Sequence, residues 1–249
     1  MTRIIISGCN GRMGRAIAER VAARDDASCT VVAGIDMNTA AAAFPVFAKP
    51  EDCTVEADVI IDFSNPTALP GLLAYATAKK LPIVIATTGI AAEGMELIKK
   101  AAEEIPVFFS ANMSLGVNLL VELAKKATEV LGYDFDIEIV EKHHNQKLDA
   151  PSGTALMIAD AIADGRHYVY DRHSRRQKRD RNEIGIHAIR GGSIVGEHDV
   201  IFAGSDEVIT LSHSASSRGV FAVGAINAAL FLPGKKPGIY NMGDLIAEN

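Results

Sequence analysis

The chain has 249 residues, 48% of them hydrophobic and 22% charged, which is the composition of an ordinary globular protein. Its net charge of -6 argues against general nucleic-acid binding, and no apolar run is long enough to span a bilayer. Three cysteines without metal-ligand spacing argue against a disulfide framework or a zinc module, so no bound metal is expected. No charged leader precedes the first strand-like residues, and we expect a cytoplasmic protein.

The first half of the sequence alternates short β-branched runs with amphipathic helical segments. This pattern is typical of βαβ units that form a parallel sheet, and it predicts a doubly wound α/β domain of the Rossmann type. Met13, Ile17 and Val21 recur every four positions, which predicts a helix over residues 12–24. The same reasoning predicts strands at residues 4–6, 29–36, 57–63, 82–87 and 106–110, and helices at 66–80 and 92–104.

Beyond residue 114 the pattern changes. A long helix is predicted over residues 115–131, an alternating strand over 135–139 and a helix over 153–163. Three alternating stretches, at 184–190, 193–203 and 207–214, are separated by turns at Gly191-Gly192 and residues 204–206, and they predict a mixed or antiparallel sheet. The apolar helix at 218–232 is predicted to return to the first domain. We therefore expect one domain of residues 1–114 and 218–249 and a second, α+β domain of residues 115–217, joined by a hinge that closes over bound ligands.

Gly8, Gly11 and Gly14 form a GxxGxxG turn between the first strand and the first helix. Glycines permit close backbone approach, so N–H groups at the helix start can meet a pyrophosphate. Asp36 ends the second strand, where a carboxylate accepts hydrogen bonds from the adenosine ribose. A turn that merely requires glycine is the alternative, and it leaves Asp36 unexplained. The next two residues, Met and Asn, carry no charge for a 2'-phosphate, so NADH is expected to bind better than NADPH, with Arg12 keeping NADPH usable.

The densest polar segment is residues 141–154, EKHHNQKLDAPSGT. It follows a predicted strand and precedes a predicted helix, whose start Ser152 is expected to cap. The backbone amides of Gly153 and Thr154 are expected to bind an anion such as a carboxylate. Adjacent histidines on a strand point to opposite sides, so a metal shared by His143 and His144 is not expected. A solvated strand end is the alternative interpretation.

This segment resembles the signature of the 4-hydroxy-tetrahydrodipicolinate reductase (dihydrodipicolinate reductase) family. The family pattern E-x-x-E-x-H-H-x-x-K-x-D-x-P-S-G-T-A stands complete from Glu138 to Ala155. Residues 8–14 resemble the family's cofactor turn, residues 86–89 its GTTG and residues 110–118 its A-x-N-F-S-x-G-V-N. Residues 196–198 and 217–225 match further on, so the resemblance covers nearly the whole chain.

The resemblance implies reduction of a cyclic unsaturated dicarboxylate by NADH or NADPH, with loss of the 4-hydroxyl as water, to give tetrahydrodipicolinate in diaminopimelate and lysine biosynthesis. It implies His143 and Lys147 as acid/base residues and the homotetramer usual in the family, with the second domain serving substrate binding and oligomerisation. Residues implied at the substrate carboxylates are His144, Ser152, Gly153 and Thr154. Cofactor positions implied in the first, dinucleotide-binding domain are Gly8, Cys9, Asn10, Gly11, Arg12, Met13, Asp36, Ala86, Thr87, Thr88, Ser110, Ala111, Asn112 and Met113.

The residue types suit this chemistry. Hydride addition to a conjugated imine leaves an enamine that must gain a proton, and a histidine, which ordinarily titrates near about pH 6.5, and a cationic lysine suit that task. Two departures from the family pattern are Met113, where many relatives have phenylalanine, and Ala86, which replaces the first glycine of GTTG. Both side chains are expected to pack differently around the nicotinamide.

Between residues 165 and 181 the family pattern fades into a basic stretch. We interpret it as a solvated loop, with a positive rim that attracts anionic ligands as the alternative. The seven basic residues are Arg166, Arg172, Arg175, Arg176, Lys178, Arg179 and Arg181.

Two other functions compete with this interpretation. An aspartate-semialdehyde dehydrogenase needs a catalytic cysteine in its second domain, whereas every cysteine here precedes residue 54. A module that holds NAD(H) without turnover is an alternative of another class, and it leaves residues 143–154 without a purpose.

Overall fold

The computed structural model describes residues 1–248. The chain divides into two compact units, Met1–Leu115 with the segment from Gly219 onward, and Gly116–Arg218. Within the described residues, no helix combines the length and apolar character needed to cross a membrane.

The described residues form twelve strands and seven helices. In chain order the strands are β1 (Thr2–Ser7), β2 (Cys29–Ile35), β3 (Val46–Phe47), β4 (Val59–Asp62), β5 (Ile83–Ile85), β6 (Pro106–Phe109), β7 (Asp136–His143), β8 (His167–Val169), β9 (Glu183–Arg190), β10 (Gly196–Ala203), β11 (Val208–Ala215) and β12 (Gly238–Tyr240). The helices are α1 (Arg12–Ala22), α2 (Leu69–Lys79), α3 (Ala92–Ala102), α4 (Leu115–Leu131), α5 (Gly153–Ala161), α6 (Gly219–Phe231) and α7 (Met242–Ala247).

The first unit is built on a seven-stranded parallel sheet in the order β12-β6-β5-β4-β1-β2-β3. Its strands are apolar on both sides: Ile4 and Ile6 enter the core that α1 and α6 cover, whereas Ile5 enters the core that α2 and α3 cover. Continuous apolar runs are what a parallel sheet covered on both faces requires. The predicted doubly wound α/β fold is confirmed.

Helix α6 belongs to the first unit. Ala222, Ala225 and Ala228 are fully buried in the same core as Ile17 of α1. Their small side chains allow the backbone of α6 to lie close to its neighbours. The chain therefore leaves this unit after α4 begins and returns at Gly219.

The second unit contains a five-stranded mixed sheet in the order β11-β10-β7-β9-β8. Strand β7 is parallel to β9 and antiparallel to β10, as the predicted mixed sheet allows. The predicted turn at Gly191-Gly192 does not join neighbouring strands, because β7 lies between β9 and β10. Instead this segment crosses the end of β7, where the Gly191 N–H donates to the His143 carbonyl at 2.9 Å.

The solvated-loop interpretation of the basic stretch is wrong for three of its seven residues. Arg172 and Arg179 both donate to the Glu138 carboxylate at 3.0 Å, and Arg172 also binds the buried Glu183. Arg166 is itself buried. The half-buried Glu138 of β7 and the buried Glu183 of β9 require opposite charges, which the loop supplies. The other four basic residues are exposed.

Candidate active site

The turn after β1 leaves no room for a side chain at Gly8 or Gly14. Gly8 has φ of +78°, and a Cβ there would lie 2.7 Å from the Phe63 carbonyl oxygen. A Cβ on Gly14 would lie 2.2 Å from the Gly8 carbonyl oxygen. The turn therefore brings the first N–H groups of α1 directly to the carboxyl end of β1, the usual position of a pyrophosphate in such sheets.

Asp36 fastens this turn to the loop after β2. Its two carboxylate oxygens accept hydrogen bonds from the backbone N–H groups of Asn10 and Asn38, each at 2.9 Å. The Asn10 side chain donates in turn to the carbonyls of Asn38 and Ala40, at 2.6 and 3.1 Å. A carboxylate has about four acceptor positions. The Asp36 carboxylate therefore retains capacity for two ribose hydroxyls.

A cleft of about 490 Å³ opens at the carboxyl ends of β1, β2 and β4. Gly8, Gly11, Asp36 and Ser64 line it together with Met37, whose side chain is 91% exposed. Ligands of doubly wound sheets bind at this edge. The cleft, the glycine turn and the acceptor at Asp36 fit a dinucleotide.

Asp62, at the end of β4, organises the neighbouring edge of the sheet and was not predicted from the sequence. Its fully buried carboxylate accepts hydrogen bonds from the Thr87 hydroxyl at 2.7 Å and from the Ser64 hydroxyl at 2.6 Å. The Thr87 side chain is thus turned inward, whereas Thr88 is exposed. The sequence does carry a signal for this residue, because Asp62 is the polar residue that ends the otherwise apolar strand β4.

The structure restricts what some predicted cofactor residues can contribute. The side chains of Cys9 and Met113 lie in the core that α1 and α6 cover, and burial raises the pKa of the Cys9 thiol to about 11. The Met113 side chain therefore packs in this core and not around a nicotinamide, contrary to expectation. At Cys9 and Met113, only backbone atoms remain available to contact a cofactor. Ala86 is also buried, at the end of β5.

The remaining predicted cofactor residues lie at the same edge of the sheet. In the loop after β6, the Ser110 hydroxyl donates to the Asn112 carbonyl at 2.9 Å, and the Asn112 side chain accepts from the Ser114 N–H at 2.8 Å. Ala111 in this loop and Arg12 at the start of α1 are exposed, and Met13 is half-buried. The predicted residues thus follow β1, β2, β5 and β6.

In the second unit, His143 is the last residue of β7. Burial alternates along this strand, so Glu141 and His143 are buried whereas Lys142 and the following His144 are half-buried. His144 is the first residue after β7, and it is more exposed than His143. In the part of the chain that the structure describes, no His, Cys, Asp and Glu side chains form a group suited to a metal ion.

His143 is bound by the fully buried carboxylate of Glu141, whose Oε2 lies 2.6 Å from His143 Nδ1. Arg190 of β9 donates to both oxygens of the same carboxylate, at 2.8 and 2.7 Å. Burial opposes ionisation of Glu141, but hydrogen bonds from Arg190 and His143 outweigh it and hold the pKa of this carboxyl below its usual value. An ionised carboxylate only accepts hydrogen bonds, so His143 carries a proton on Nδ1.

Ser152 caps α5 as predicted, since its hydroxyl accepts a hydrogen bond from the Ala155 N–H at 3.2 Å. The same hydroxyl lies 3.1 Å from His198 Nε2, and the Ser152 N–H donates to Glu141 Oε1 at 3.0 Å. The side chain is thus engaged within the protein. Gly153 is exposed and Thr154 half-buried in the first turn of α5.

Lys147 lies in the loop between β7 and α5. Its ammonium is 2.9 Å from the Asp149 carboxylate. This hydrogen bond holds the pKa of Asp149 below its usual value, and the Gly153 backbone N–H adds to the effect. The loop thus places a cation and the first amides of α5 around one carboxylate, close to the end of the strand that carries His143.

His198 of β10 packs against His143 and was not predicted as a site residue. The two rings meet edge to face with centroids 5.3 Å apart. Burial, helped by the charge of His143, lowers the pKa of His198 to about 4, so this ring is neutral at physiological pH. Glu141, Arg190 and His198 share no local sequence pattern, because three different strands supply them.

Comparisons with known proteins point to a single family. Family profiles described as dihydrodipicolinate reductase, N-terminus, and dihydrodipicolinate reductase, C-terminus, match residues 2–113 and 116–246. A 4-hydroxy-tetrahydrodipicolinate reductase from Caldanaerobacter subterraneus subsp. tengcongensis is 56% identical over 252 residues, covering 100% of this chain and 99% of the relative. Another, from Clostridium tetani, is 52% identical and covers 97% of this chain and 96% of the relative.

A solved structure gives the same result. The dipicolinate-bound dihydrodipicolinate reductase from Paenisporosarcina sp. TG-14 superposes with a TM-score of 0.77 at 26% sequence identity, covering 97% of each chain. The chain therefore belongs to the dihydrodipicolinate reductase family, and it reduces 4-hydroxy-tetrahydrodipicolinate to tetrahydrodipicolinate with a nicotinamide cofactor and loss of water, a step of diaminopimelate and lysine biosynthesis.

Proposed function

We propose that His143 and Lys147 transfer the protons of this reduction. Loss of the 4-hydroxyl as water leaves a conjugated imine, and its reduction gives an enamine that must gain a proton. The nicotinamide cofactor supplies the hydride when bound. Because Glu141 holds Nδ1 of His143, Nε2 is the nitrogen left for exchange with substrate. The observation that carries the proposal is this fixed ring at the end of β7, beside a loop that supplies the Lys147 cation.

We propose that the start of α5 and His144 hold a substrate carboxylate. The helix N-terminus offers the backbone of Gly153 and Thr154 together with the positive end of the helix dipole. Ser152 contributes by capping this turn, because its hydroxyl already binds His198 and the Ala155 N–H. A dicarboxylate bound in the Paenisporosarcina relative supports a substrate of this class.

We propose that the first unit binds the dinucleotide and that NADH is preferred. The Asp36 carboxylate retains acceptor capacity for the ribose diol and repels a 2'-phosphate. Neither Met37 nor Asn38 offers a compensating charge, and exposed Arg12 gives NADPH partial use. Cys9 and Met113 are proposed to contact the cofactor through backbone atoms. The other predicted cofactor residues of the first unit are proposed to contact it through backbone or side-chain atoms.

We propose a homotetramer located in the cytoplasm. The sheet of the second unit ends in β11, an edge strand whose alternate residues are exposed, and unpaired edges favour association. The three cysteines are free and buried, which suits a reducing compartment. Light scattering of the purified protein tests the assembly, and a monomer at micromolar concentration would exclude it.

The experiment that tests the proposed function follows NADH absorbance with purified protein and freshly prepared substrate. We expect turnover that dipicolinate inhibits competitively with substrate. Binding of NADH without turnover, under conditions in which a family relative is active, would support a nucleotide-binding module instead.

A further inference from the structure

The Glu141 carboxylate is saturated with hydrogen bonds. Arg190 donates to both oxygens, His143 donates to Oε2 and the Ser152 N–H donates to Oε1. Four donors fill the roughly four acceptor positions of a carboxylate. The side chain has 0% exposure, so water does not compete for these positions.

Arg190 supplies the charge that allows a buried carboxylate to remain ionised. It lies opposite His143 in the pairing of β7 with β9. Its guanidinium is itself fixed, because it also donates to the Asp149 and Ile189 carbonyls, both at 2.7 Å. A bidentate arginine–carboxylate pair has one preferred geometry, so the carboxylate has a defined direction.

We propose that Glu141, neutralised by Arg190, is a positioning residue that fixes the His143 ring with a proton on Nδ1 and Nε2 available for exchange. This inference rests on the proposed role of His143. After proton donation from Nε2, the neutral ring keeps its remaining proton on Nδ1, held by Glu141. The nitrogen that exchanges a proton with substrate is therefore always the same one.

The other groups near His143 do little to fix the orientation of its ring. The neutral His198 of β10 packs on the ring, and His213 lies beside His198 on β11. Lys147 and Asp149 face the site from the following loop as an ion pair. Burial lowers the pKa of His213 as well. Glu141 of the same strand contacts His143 directly, and Arg190 of β9 contacts Glu141.

Glu138 provides a matched control on the same strand. Its Oε2 lies 2.8 Å from His187 Nε2, and Arg179 and Arg172 donate to its Oε1. Glu138 is thus a second carboxylate that binds a histidine and arginines, three positions earlier and on the opposite face of β7. It has the same chemistry without contact to His143.

The test compares Glu141→Gln with Glu138→Gln. Glutamine keeps the shape of the side chain but removes its charge. We expect Glu141→Gln to lower kcat at least about tenfold, as loss of a residue that orients a catalytic histidine does. An imidazolium beside an amide is less favoured than one beside a carboxylate, so the alkaline fall of kcat should move to lower pH by about 1 unit or more. Glu138→Gln should leave kcat and its pH profile unchanged.

A second readout needs no turnover. In ¹⁵N-histidine-labelled wild-type protein, we expect neutral His143 to be a single tautomer with its proton on Nδ1, assigned by loss of the signals in His143→Phe. Glu141→Gln should produce a mixture of tautomers. Should Glu141→Gln not fold, Arg190→Lys replaces it, because lysine keeps the charge but cannot donate two parallel hydrogen bonds.

The two readouts separate the claims. Mixed tautomers in the wild type, or an unchanged pH profile in a folded Glu141→Gln or Arg190→Lys variant, would overturn the positioning role. A single Nδ1–H tautomer in a wild-type protein that lacks turnover would instead overturn the proposed function and leave the pairing intact.

Discussion

The backbone N–H of Ser152 donates a hydrogen bond to the buried carboxylate of Glu141 and so fastens the start of α5 to the end of β7. Because Glu141 also binds His143, one side chain holds both the proposed proton-transfer group and the proposed carboxylate site. The spacing between these groups is therefore set by hydrogen bonds inside the second unit.

Replacing Thr154 with phenylalanine is expected to raise the substrate KM while kcat at saturation and the KM for NADH change little. Thr154 lies in the first turn of α5, where a bulky side chain hinders a carboxylate in the ground state and the transition state alike. Steady-state kinetics measure the effect. Met157→Phe, one turn further along α5, is the control and should keep a normal KM.

Cofactor preference is expected to follow the two residues at the end of β2. The wild type should show a higher kcat/KM with NADH than with NADPH. Met37→Arg should raise kcat/KM for NADPH about tenfold or more, because an arginine beside the ribose gives a charge-assisted hydrogen bond to the 2'-phosphate. Leu97→Arg on α3 adds the same charge elsewhere and should change neither value. A strong NADPH preference of the wild type would contradict our interpretation of Asp36.

Gly196→Ala is expected to lower kcat by about tenfold through a small displacement of the His143 ring. A Cβ at residue 196 would lie 3.1 Å from His143 Nε2, closer than an ordinary contact. The KM for NADH should be unchanged. Gly191→Ala is the control, since a Cβ there meets nothing within 4 Å. Equal kcat values for the two variants would show that Nε2 tolerates this methyl group.

His198 predicts a pH dependence of stability. Burial lowers its pKa to about 4 in the folded protein, whereas an unfolded histidine titrates near about 6.5. As the pH falls below about 6.5, the unfolded chain binds a proton at His198 that the folded chain does not bind. This residue alone therefore lowers stability by about 2 kcal/mol between pH 7 and pH 5.

Urea unfolding at fixed protein concentration measures this dependence. His198→Gln should lose less stability between pH 7 and pH 5 than the wild type, whatever its stability at pH 7. The exposed His173→Gln should keep the wild-type pH dependence. A parallel pH dependence in the wild type and His198→Gln would mean that His198 is protonated in the folded protein.

The sequence predicted features that depend on neighbouring residues. Continuous apolar runs such as Ile4–Ile6 predict the buried parallel strands, and the spacing of the three glycines predicts the first turn. The serine of the PSGT segment capped a helix as expected. Each of these features is decided within a few positions along the chain.

Features that depend on strand order were missed. Arg190 reaches Glu141 only because β9 lies beside β7, and no local pattern specifies that neighbour. Because β7 lies between β9 and β10, the Gly191-Gly192 segment that joins these two strands crosses the end of β7 and does not form a hairpin turn. The charge pattern alone predicts a solvated loop for Arg172 and Arg179, because their partner, the buried Glu183, is recognisable only once the sheet is assembled.

The most direct test of the account measures kcat for His143→Ala, Lys147→Ala and the double variant with saturating substrate and NADH. Each single variant should lose about 10²- to 10⁴-fold in kcat, the usual range for general acid and base groups, while the dissociation constant of NADH stays unchanged. Because the two groups act as a unit, the double variant should lose much less than the product of the single effects. Near-normal kcat in both single variants would contradict the proposed active site.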